Sequence, residues 1–332
     1  MTDAMPKTFP WINEAEVVSL VNLSAIITAL EAGLRLEATG DAKNLHKGQS
    51  VWEGGSLNIT GAQYPSLGFA GAKAWSNVGG KSAPLLLLHG TDDGQLKAII
   101  EAVALGQMRT AALAAVATRW MADEHADDLA LVGTGKQSIT QLAAVNAVRP
   151  LKRLRVFSPT PENRAKFAAL VREKYDFEVI EAASLEDAVR DAPIITTVTR
   201  AREPFLFSEH IAPGCHINAA GAIIPAFAEI ADDILPRCDQ VVVDNLDQCR
   251  ENSRELQTFY DGGPGDWADV IQLSNLLATG NGRKKNADIT LFKWMGVGLA
   301  DVAAGVEILR RAKEQGIGSQ LPHPGRAAPD LS

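Results

Sequence analysis

The chain is short of cysteine, of aromatic residues and of positive charge, and each shortage narrows what it can be. Three cysteines, Cys215, Cys238 and Cys249, in 332 residues are too few and too odd in number for a disulfide framework and suit a reducing cytoplasm. Lys and Arg total 32 against 40 Asp and Glu, a formal charge of −8. That balance disfavours nucleic acid or an anionic membrane as a partner. Purely apolar runs are short, as in Leu85–Leu88, whereas a membrane-spanning helix needs about 20 apolar residues. Met1–Trp11 has no apolar stretch after a basic start, so no secretory signal is expected. The six histidines (His46, His89, His125, His210, His216, His323) show no metal-ligand spacing, so no metal site is expected. With 46 % hydrophobic and 22 % charged residues, what remains is an ordinary globular protein, long enough for roughly two domains.

The chain changes rhythm twice. Asn13 with Glu16 makes a capping box for a first helix, and Ser24 is placed to cap a second, Ala25–Ala38. Short β-prone pieces follow (Ser56–Ile59, Leu67–Trp75, Pro84–His89), and Asp92-Asp93-Gly94 reads as a turn into Gln95–Glu101. This pattern implies an α+β unit with a mostly antiparallel sheet. Leu105–Met121 is an Ala-rich helix. From Asp128 onward, strands and helices alternate: Asp128–Val132, helix Ser138–Val148, Leu154–Phe157, helix Pro161–Tyr175, Glu178–Ile180, helix Leu185–Val189, Ile194–Val198, His216–Ala219, Gln240–Asp244 and Ile289–Phe292. Such alternation implies a doubly wound parallel sheet. A long helix from about Gly298 to Gln315 follows, and the tail 316–332 reads as loose.

Leu129-Ala-Leu-Val-Gly133-Thr134-Gly135-Lys136-Gln137-Ser138 ends a strand in G-x-G-x-x-S and opens a helix. The first glycine permits a tight turn, the second a close approach of pyrophosphate, and the helix N-terminus supplies free N–H groups. The second strand of the series ends at Phe157-Ser158-Pro159-Thr160, where an NAD-preferring fold usually carries Asp or Glu. Here Ser158 and Thr160 can hydrogen-bond a 2′-phosphate and Arg164 can neutralise it, which favours NADP(H) over NAD(H). Alternatively, Ser158–Pro161 is only a helix-starting turn. Upstream, Arg109 opens the Ala-rich helix in a way suited to a carboxylate or phosphate, although an Arg there is commonly a surface residue. Lys73 lies in an apolar strand between Ala and Trp75, costly unless paired or functional; the alternative is that it points to solvent. His216 reads as a buried, satisfied histidine, Cys215 as an inert thiol, and Asp244 and Asp301 as turn or capping residues. Trp75 and Trp294 either shape a pocket or simply fill the core.

Together, Gly71-Ala-Lys73, Leu105-Gly-Gln-Met-Arg109-Thr110-Ala-Ala, Val132-Gly133-Thr-Gly135-Lys-Gln137, Ile217-Asn218-Ala219-Ala-Gly221-Ala222, Val241-Val-Val-Asp244 and Ile289-Thr-Leu-Phe292-Lys293-Trp-Met295-Gly296 resemble the ornithine cyclodeaminase/μ-crystallin family in order and spacing, over about 230 residues. The resemblance implies a homodimer with an NAD(P)-binding Rossmann domain (121–301) inserted in an α+β substrate-binding and dimerisation domain (1–120 plus 302–332). It assigns Lys73 and Arg109 to the substrate carboxylate, with Lys47 as a further basic candidate. It places Thr110, Gln137, Thr197, Val198, Thr199, Asn218, Ala219, Gly221, Met295 and Gly296 along the cofactor.

One departure decides the expected reaction. Cyclodeaminase-like members carry Gly-Ala-Asp-x-Pro-x-Lys-x-Glu-Leu, whose Asp is catalytic. Here Ile223 and Phe227 stand at the Asp and Lys positions, and Glu229 is kept. Isoleucine cannot transfer a proton, whereas reduction of a preformed iminium ion needs only an anchored carboxylate and a nearby hydride donor, with Ile223 and Trp294 against the substrate. The expectation is therefore an NAD(P)H-dependent reductase of imines of small 2-oxo acids or of cyclic imino acids, or the reverse amino-acid dehydrogenase. The rivals are a cyclodeaminase that recycles NAD internally and a cofactor-binding protein without turnover.

Overall fold

Alternating apolar positions in the first hundred residues build a sheet covered by helices on one face. The computed structural model describes residues 8–325 and 327–332. The first sheet contains β1 (Thr8–Ile12), β2 (Lys43–Asn44), β3 (Gly48–Trp52), β4 (Gly55–Tyr64), β5 (Phe69–Val78), β6 (Leu85–Gly90) and β7 (Leu96–Glu101). It also takes in a C-terminal strand, Ser319–Pro322, and its order is C-terminal strand–β1–β7–β6–β5–β4–β2, with β3 also on β4. Only the β1–β7 pair is parallel. The tail is thus not loose throughout: Phe9 stands opposite Leu321 in the β1 ladder. Neither that strand nor β1 stood out in the sequence, because their partners are remote: β1 pairs with β7 and with the C-terminal strand, and none of these is a neighbour in sequence.

Helices α1 (Glu14–Leu20) and α2 (Leu23–Ala38) lie at the start of the chain and α3 (Val103–Met121) after β7. The Asn13–Glu16 capping box forms. The second cap is Asn22, whose side chain accepts from the N–H of Ala25, rather than Ser24. The run Ala111–Ala117 in α3 is buried throughout, and its small side chains let neighbouring helices approach closely.

The second sheet holds β8 (Asp128–Val132), β9 (Arg153–Phe157), β10 (Glu178–Glu181), β11 (Ile194–Thr197), β12 (Cys215–Ala219), β13 (Cys238–Val243), β14 (Ile271–Gln272) and β15 (Ile289–Lys293). Every pairing is parallel, in the order β10–β9–β8–β11–β12–β15–β13–β14. The connecting helices are α4 (Ser138–Val148), α5 (Pro161–Arg172), α6 (Leu185–Val189), α7 (Leu246–Asn252), α8 (Arg254–Tyr260) and α9 (Leu273–Thr279). Helix α5 stops at Arg172, short of the expected Tyr175. Strand order reverses between β8 and β11, the switch point where ligands bind in open α/β sheets.

The chain returns to the first sheet through α10 (Gly298–Gln315). A boundary drawn at residue 302 falls inside this helix. Every residue from Gly298 to Gly305 is buried, so the first two turns are enclosed on all sides, and Ile308, Leu309 and Ala312 continue one buried face. Gly298 sets the contact: a Cβ there would overlap backbone atoms of Gly61 on β4. Among the described residues, no single helix is long and apolar enough to cross a membrane.

The closeness of that contact is testable. Gly298→Ala should cost about 1–3 kcal/mol of stability by overpacking and lower the thermal unfolding midpoint by several degrees in circular dichroism. An unchanged midpoint would contradict it.

Candidate active site

Register brings the first functional side chains together. In the β4–β5 ladder Thr60 stands directly opposite Lys73, so both side chains project from the same face of the sheet. Helix α10 covers that face. Asp301, the fourth residue of α10, lies past the capping positions and points into the sheet. Lys73 Nζ donates to Asp301 Oδ1 at 2.6 Å, and Thr60 Oγ1 donates to Asp301 Oδ2 at 3.0 Å. Arg109 arrives from α3, with Nε 2.8 Å from the same Oδ1. Gly106, one turn before Arg109, lies beside Lys73: a Cβ on it would sit 3.9 Å from Nζ, an ordinary contact. Lys73 is therefore buried, which excludes the solvent-facing alternative, and Arg109 is buried too. Each cation lies against a tryptophan, Lys73 Nζ 4.9 Å from the Trp75 ring centroid and Arg109 Cζ 5.7 Å from that of Trp294.

Electrostatics follow from this crowding. Burial and the Arg109 guanidinium push Lys73 down to about 8, against the opposing pull of Asp301. Burial alone would raise the Asp301 carboxyl, but Arg109 and Lys73 outweigh it and hold it below the ordinary carboxylate range. Arg109 Nη1 and Trp294 Nε1 are buried with no hydrogen-bond partner among the described residues. Such donors are costly unless something accepts from them. Lys47 lines a cavity of about 130 Å³ together with Asn44, Thr60, Asn245 and Gly296. Burial and Arg109 both push its ammonium down. Asp301, expected as a capping residue, is thus the centre of the cluster. The signal that could have found it is an acid standing as the fourth residue of an otherwise small and apolar segment, Gly298–Val306.

The glycine turn lies at the switch point. Gly133 adopts φ +114, and a Cβ there would meet Val198 O at 2.7 Å. Around Gly135 there is open space, Lys136 is exposed and Thr134 and Gln137 are half-buried, at the N-terminus of α4. A dinucleotide pyrophosphate fits this turn. Thr110 spends its hydroxyl on Gly106 O. At the end of β9, Arg164 Nη1 donates to Ser158 O at 3.0 Å and its guanidinium lies over the Phe157 ring, while Thr160 is exposed.

Two buried carboxylates tie down the loops at the carboxyl end of this sheet. Glu229 accepts from the backbone N–H of Thr199 (2.6 Å) and Gly221 (2.7 Å) and from the Thr197 hydroxyl (2.9 Å). Asp244 accepts from the N–H of Met295 (2.9 Å) and Gly296 (2.7 Å), and burial pushes it up to about 6. Lys293 pairs with Glu255, whose other oxygen accepts from the N–H of Glu229 and Ile230. Val198 and Gly221 are half-buried and Ala219 is buried. Asn218 corrects an expectation. Its amide donates to the hydroxyls of Thr118 and Thr196, and its oxygen faces His216 Nε2, so the side chain binds α3 to the sheet instead of meeting a cofactor. His216 is buried and pushed down to about 3, chiefly by desolvation, and burial pushes the Cys215 thiol up to about 12; neither suits acid–base or nucleophilic work. Ile223 is half-buried against the apolar cluster that includes Trp294 and Val297. Among the described residues no group of three His, Cys, Asp or Glu side chains is placed to hold a metal.

Glu37 gives a pH test of the link between the two sheets. It accepts from Asn44 Nδ2 at 3.0 Å, and Asn44 Oδ1 accepts from the Leu299 N–H at the start of α10. Burial raises Glu37 from 4.5 to about 7. Between those values the folded chain holds a proton that the unfolded chain has released, so Glu37 makes the fold progressively less stable as pH rises. Glu37→Gln should therefore gain stability relative to wild type between pH 5 and pH 8 in urea titrations. A difference that does not change with pH would contradict this.

The family model for the ornithine cyclodeaminase/mu-crystallin family matches residues 11–316. A delta(1)-pyrroline-2-carboxylate reductase of Bacillus cereus is 30 % identical over 239 residues, 71 % of this chain and 73 % of that protein. The ketimine reductase mu-crystallin of Mus musculus is 31 % identical over 219 residues, 66 % of each chain. Among solved structures, an archaeal alanine dehydrogenase dimer with bound NAD superposes with a TM-score of 0.87 at 25 % identity, covering 95 % of this chain and 99 % of that one. A match over nearly the whole length means that this chain belongs to the ornithine cyclodeaminase/mu-crystallin family.

Proposed function

We propose that the protein is an NAD(P)H-dependent reductase of imines of small 2-oxo acids or of cyclic 2-imino acids, or catalyses the reverse amino-acid dehydrogenation. The observation that carries this is the pair of buried cations, Lys73 and Arg109, with the Arg109 Nη1 donor still unpaired. Lys73 and Arg109 grip the substrate carboxylate and fix its α-carbon, and Lys47 adds positive charge from the cavity beside Thr60. Ile223 and Trp294 border the substrate. With Ile223 at the position where a cyclodeaminase needs its acid, amine cyclisation has no proton-transfer group there. Relatives named as pyrroline-2-carboxylate and ketimine reductases support the same choice.

Gly133, Thr134, Gly135, Lys136 and Gln137 with the α4 N-terminus would hold the cofactor pyrophosphate. Thr197, Val198, Thr199, Ala219, Gly221, Met295 and Gly296 would border the nicotinamide, and Thr110 would stand behind the turn. When bound, the reduced nicotinamide supplies the hydride. At the adenosine end, Ser158, Thr160 and Arg164 favour NADP(H): β9 ends without an acid, and Arg164 is already held over it. The fold presents Val51, Trp52, Leu57 and Ile59 to solvent. Leu57 and Ile59 alternate with Asn58 and Thr60 on β4 and so face away from α10, which supports self-association through the first sheet. We place the protein in the cytoplasm, in keeping with its three free cysteines.

Incubation with NADPH or NADH and a panel of 2-oxo acids plus ammonia or methylamine, together with cyclic imino acids, should consume reduced cofactor. An inert panel with tight cofactor binding would leave the non-catalytic reading. Arg109→Ala should lose about 100-fold or more in kcat/KM while cofactor affinity stays within about twofold; loss of cofactor affinity instead would reassign that arginine. Since protonated Lys73 binds the carboxylate, kcat/KM should fall as pH rises through about 8. NADPH should be used at lower KM than NADH, and Arg164→Ala should erase that difference; equal KM values in wild type would contradict the NADP(H) preference.

A further inference from the structure

Three distant parts of the chain meet at one oxygen. Lys73 comes from β5, Arg109 from α3 and Asp301 from α10, and both cations approach Asp301 Oδ1, at 2.6 and 2.8 Å. The other oxygen of Asp301 is held by Thr60. Asp301 has no exposed surface, and it rides on a helix seated directly on the backbone of β4, so this carboxylate has nowhere to move. Two cations crowded into a buried site repel each other, and Arg109 accordingly works against the charge on Lys73. Left alone, they would turn apart, or Lys73 would shed its proton.

We propose that Asp301 is a positioning residue of the reaction: through one oxygen it holds Lys73 and Arg109 side by side, so that their remaining donors converge on a single substrate carboxylate. This rests on the reading of Lys73 and Arg109 as the carboxylate-binding pair. Asp301 itself touches neither substrate nor cofactor. It neutralises one of the two positive charges and leaves the other for the incoming acid. The geometry of the donors agrees. The Arg109 Nε proton is not aligned for a hydrogen bond to Oδ1, and Nη1 is unpaired, so the guanidinium keeps a free edge while its charge is held in place. Lys73 spends one of its three protons on Asp301.

The proton on Lys73 reports on this arrangement. The charged groups that face it are Arg109 from α3, Lys47 from the β2–β3 connection and Asp301 from α10. Burial, Arg109 and Lys47 all drive the proton off, and Asp301 alone among these keeps it on. Arg109 in turn faces Asp301, Lys47 and, from the end of β13, Asp244.

The test compares wild type, Asp301→Asn and Thr60→Val in kcat and KM from pH 6 to pH 10, with circular dichroism and cofactor titration on each. In a folded Asp301→Asn enzyme the alkaline limb of kcat/KM should move down by at least one pH unit, about a tenfold easier loss of the Lys73 proton. KM for the acid should rise by about tenfold or more while cofactor affinity holds. Thr60→Val, nearly isosteric, should shift the limb the same way by less and raise KM severalfold. A folded Asp301→Asn whose limb stays at the wild-type pH, with activity lost only in proportion to stability, overturns the proposal. If Asp301→Asn does not fold, Thr60→Val decides, and a wild-type KM and limb in that variant overturn it. Wild-type protein inert toward every imino acid would sink the underlying reading of the site instead, an outcome visible before any variant is made.

Discussion

A carboxylate without exposed surface, with an ammonium and a guanidinium at one of its oxygens, brings β5, α3 and α10 together at one point. Removing charges from water is expensive, and a buried pair returns that cost only when its geometry is good and its other valences are satisfied. At Asp301 the conditions are met for Lys73 and Thr60, which hydrogen-bond Oδ1 and Oδ2, but not for Arg109, whose Nε lies 2.8 Å from Oδ1 without alignment and whose Nη1 is unpaired among the described residues. Much of the surrounding architecture can be understood as making that meeting possible. Gly298 lets α10 down onto β4, and the β4–β5 register sets Thr60 opposite Lys73. The cluster is over-supplied with positive charge by Arg109, Lys73 and Lys47. A site built this way stabilises the fold less than apolar packing would; under the proposed function its excess charge serves to bind an anion.

The parallel sheet repeats the same device with opposite polarity. There the buried groups are carboxylates and their partners are backbone N–H groups. Glu229 gathers the loops after β11 and β12, and Asp244 gathers the segment after β15. Those are the loops at the carboxyl end of the strands, where an open α/β sheet binds its ligand. Asp244 also acts at the junction of the halves, since Met295 and Gly296 lead directly into α10. The two charged centres therefore sit at the two ends of one short connection, 295–301, which ties the loops at the carboxyl end of the parallel sheet to Lys73 and Arg109.

Features that depend on neighbours in sequence were legible in advance. The strand, glycine turn and helix at 128–148 are contiguous, and the capping box at Asn13 is a four-residue pattern. Lys73 and Arg109 could be singled out from local context, but not their burial. Lys73 could have faced either way until the register placed it opposite Thr60. Asp301 was read as a cap because it stands near a helix start; its partners Lys73 and Arg109 come from β5 and α3, far away in sequence, and no local pattern shows them. Asn218 shows the reverse error: its place in a family motif suggested a cofactor contact, yet its amide is consumed by Thr118, Thr196 and His216. The β1 ladder with Ser319–Pro322 had no local signal, since neither strand can satisfy its backbone without a partner from the far end of the chain.

The most direct measurement is a crystal structure of the protein with oxidised cofactor and the amino acid that its reductase activity produces. The account predicts the ligand carboxylate within about 3 Å of both Lys73 Nζ and Arg109 Nη1, with Asp301 still holding both cations from behind. A carboxylate bound elsewhere, or one that displaces Asp301 from Lys73 and Arg109, would contradict it.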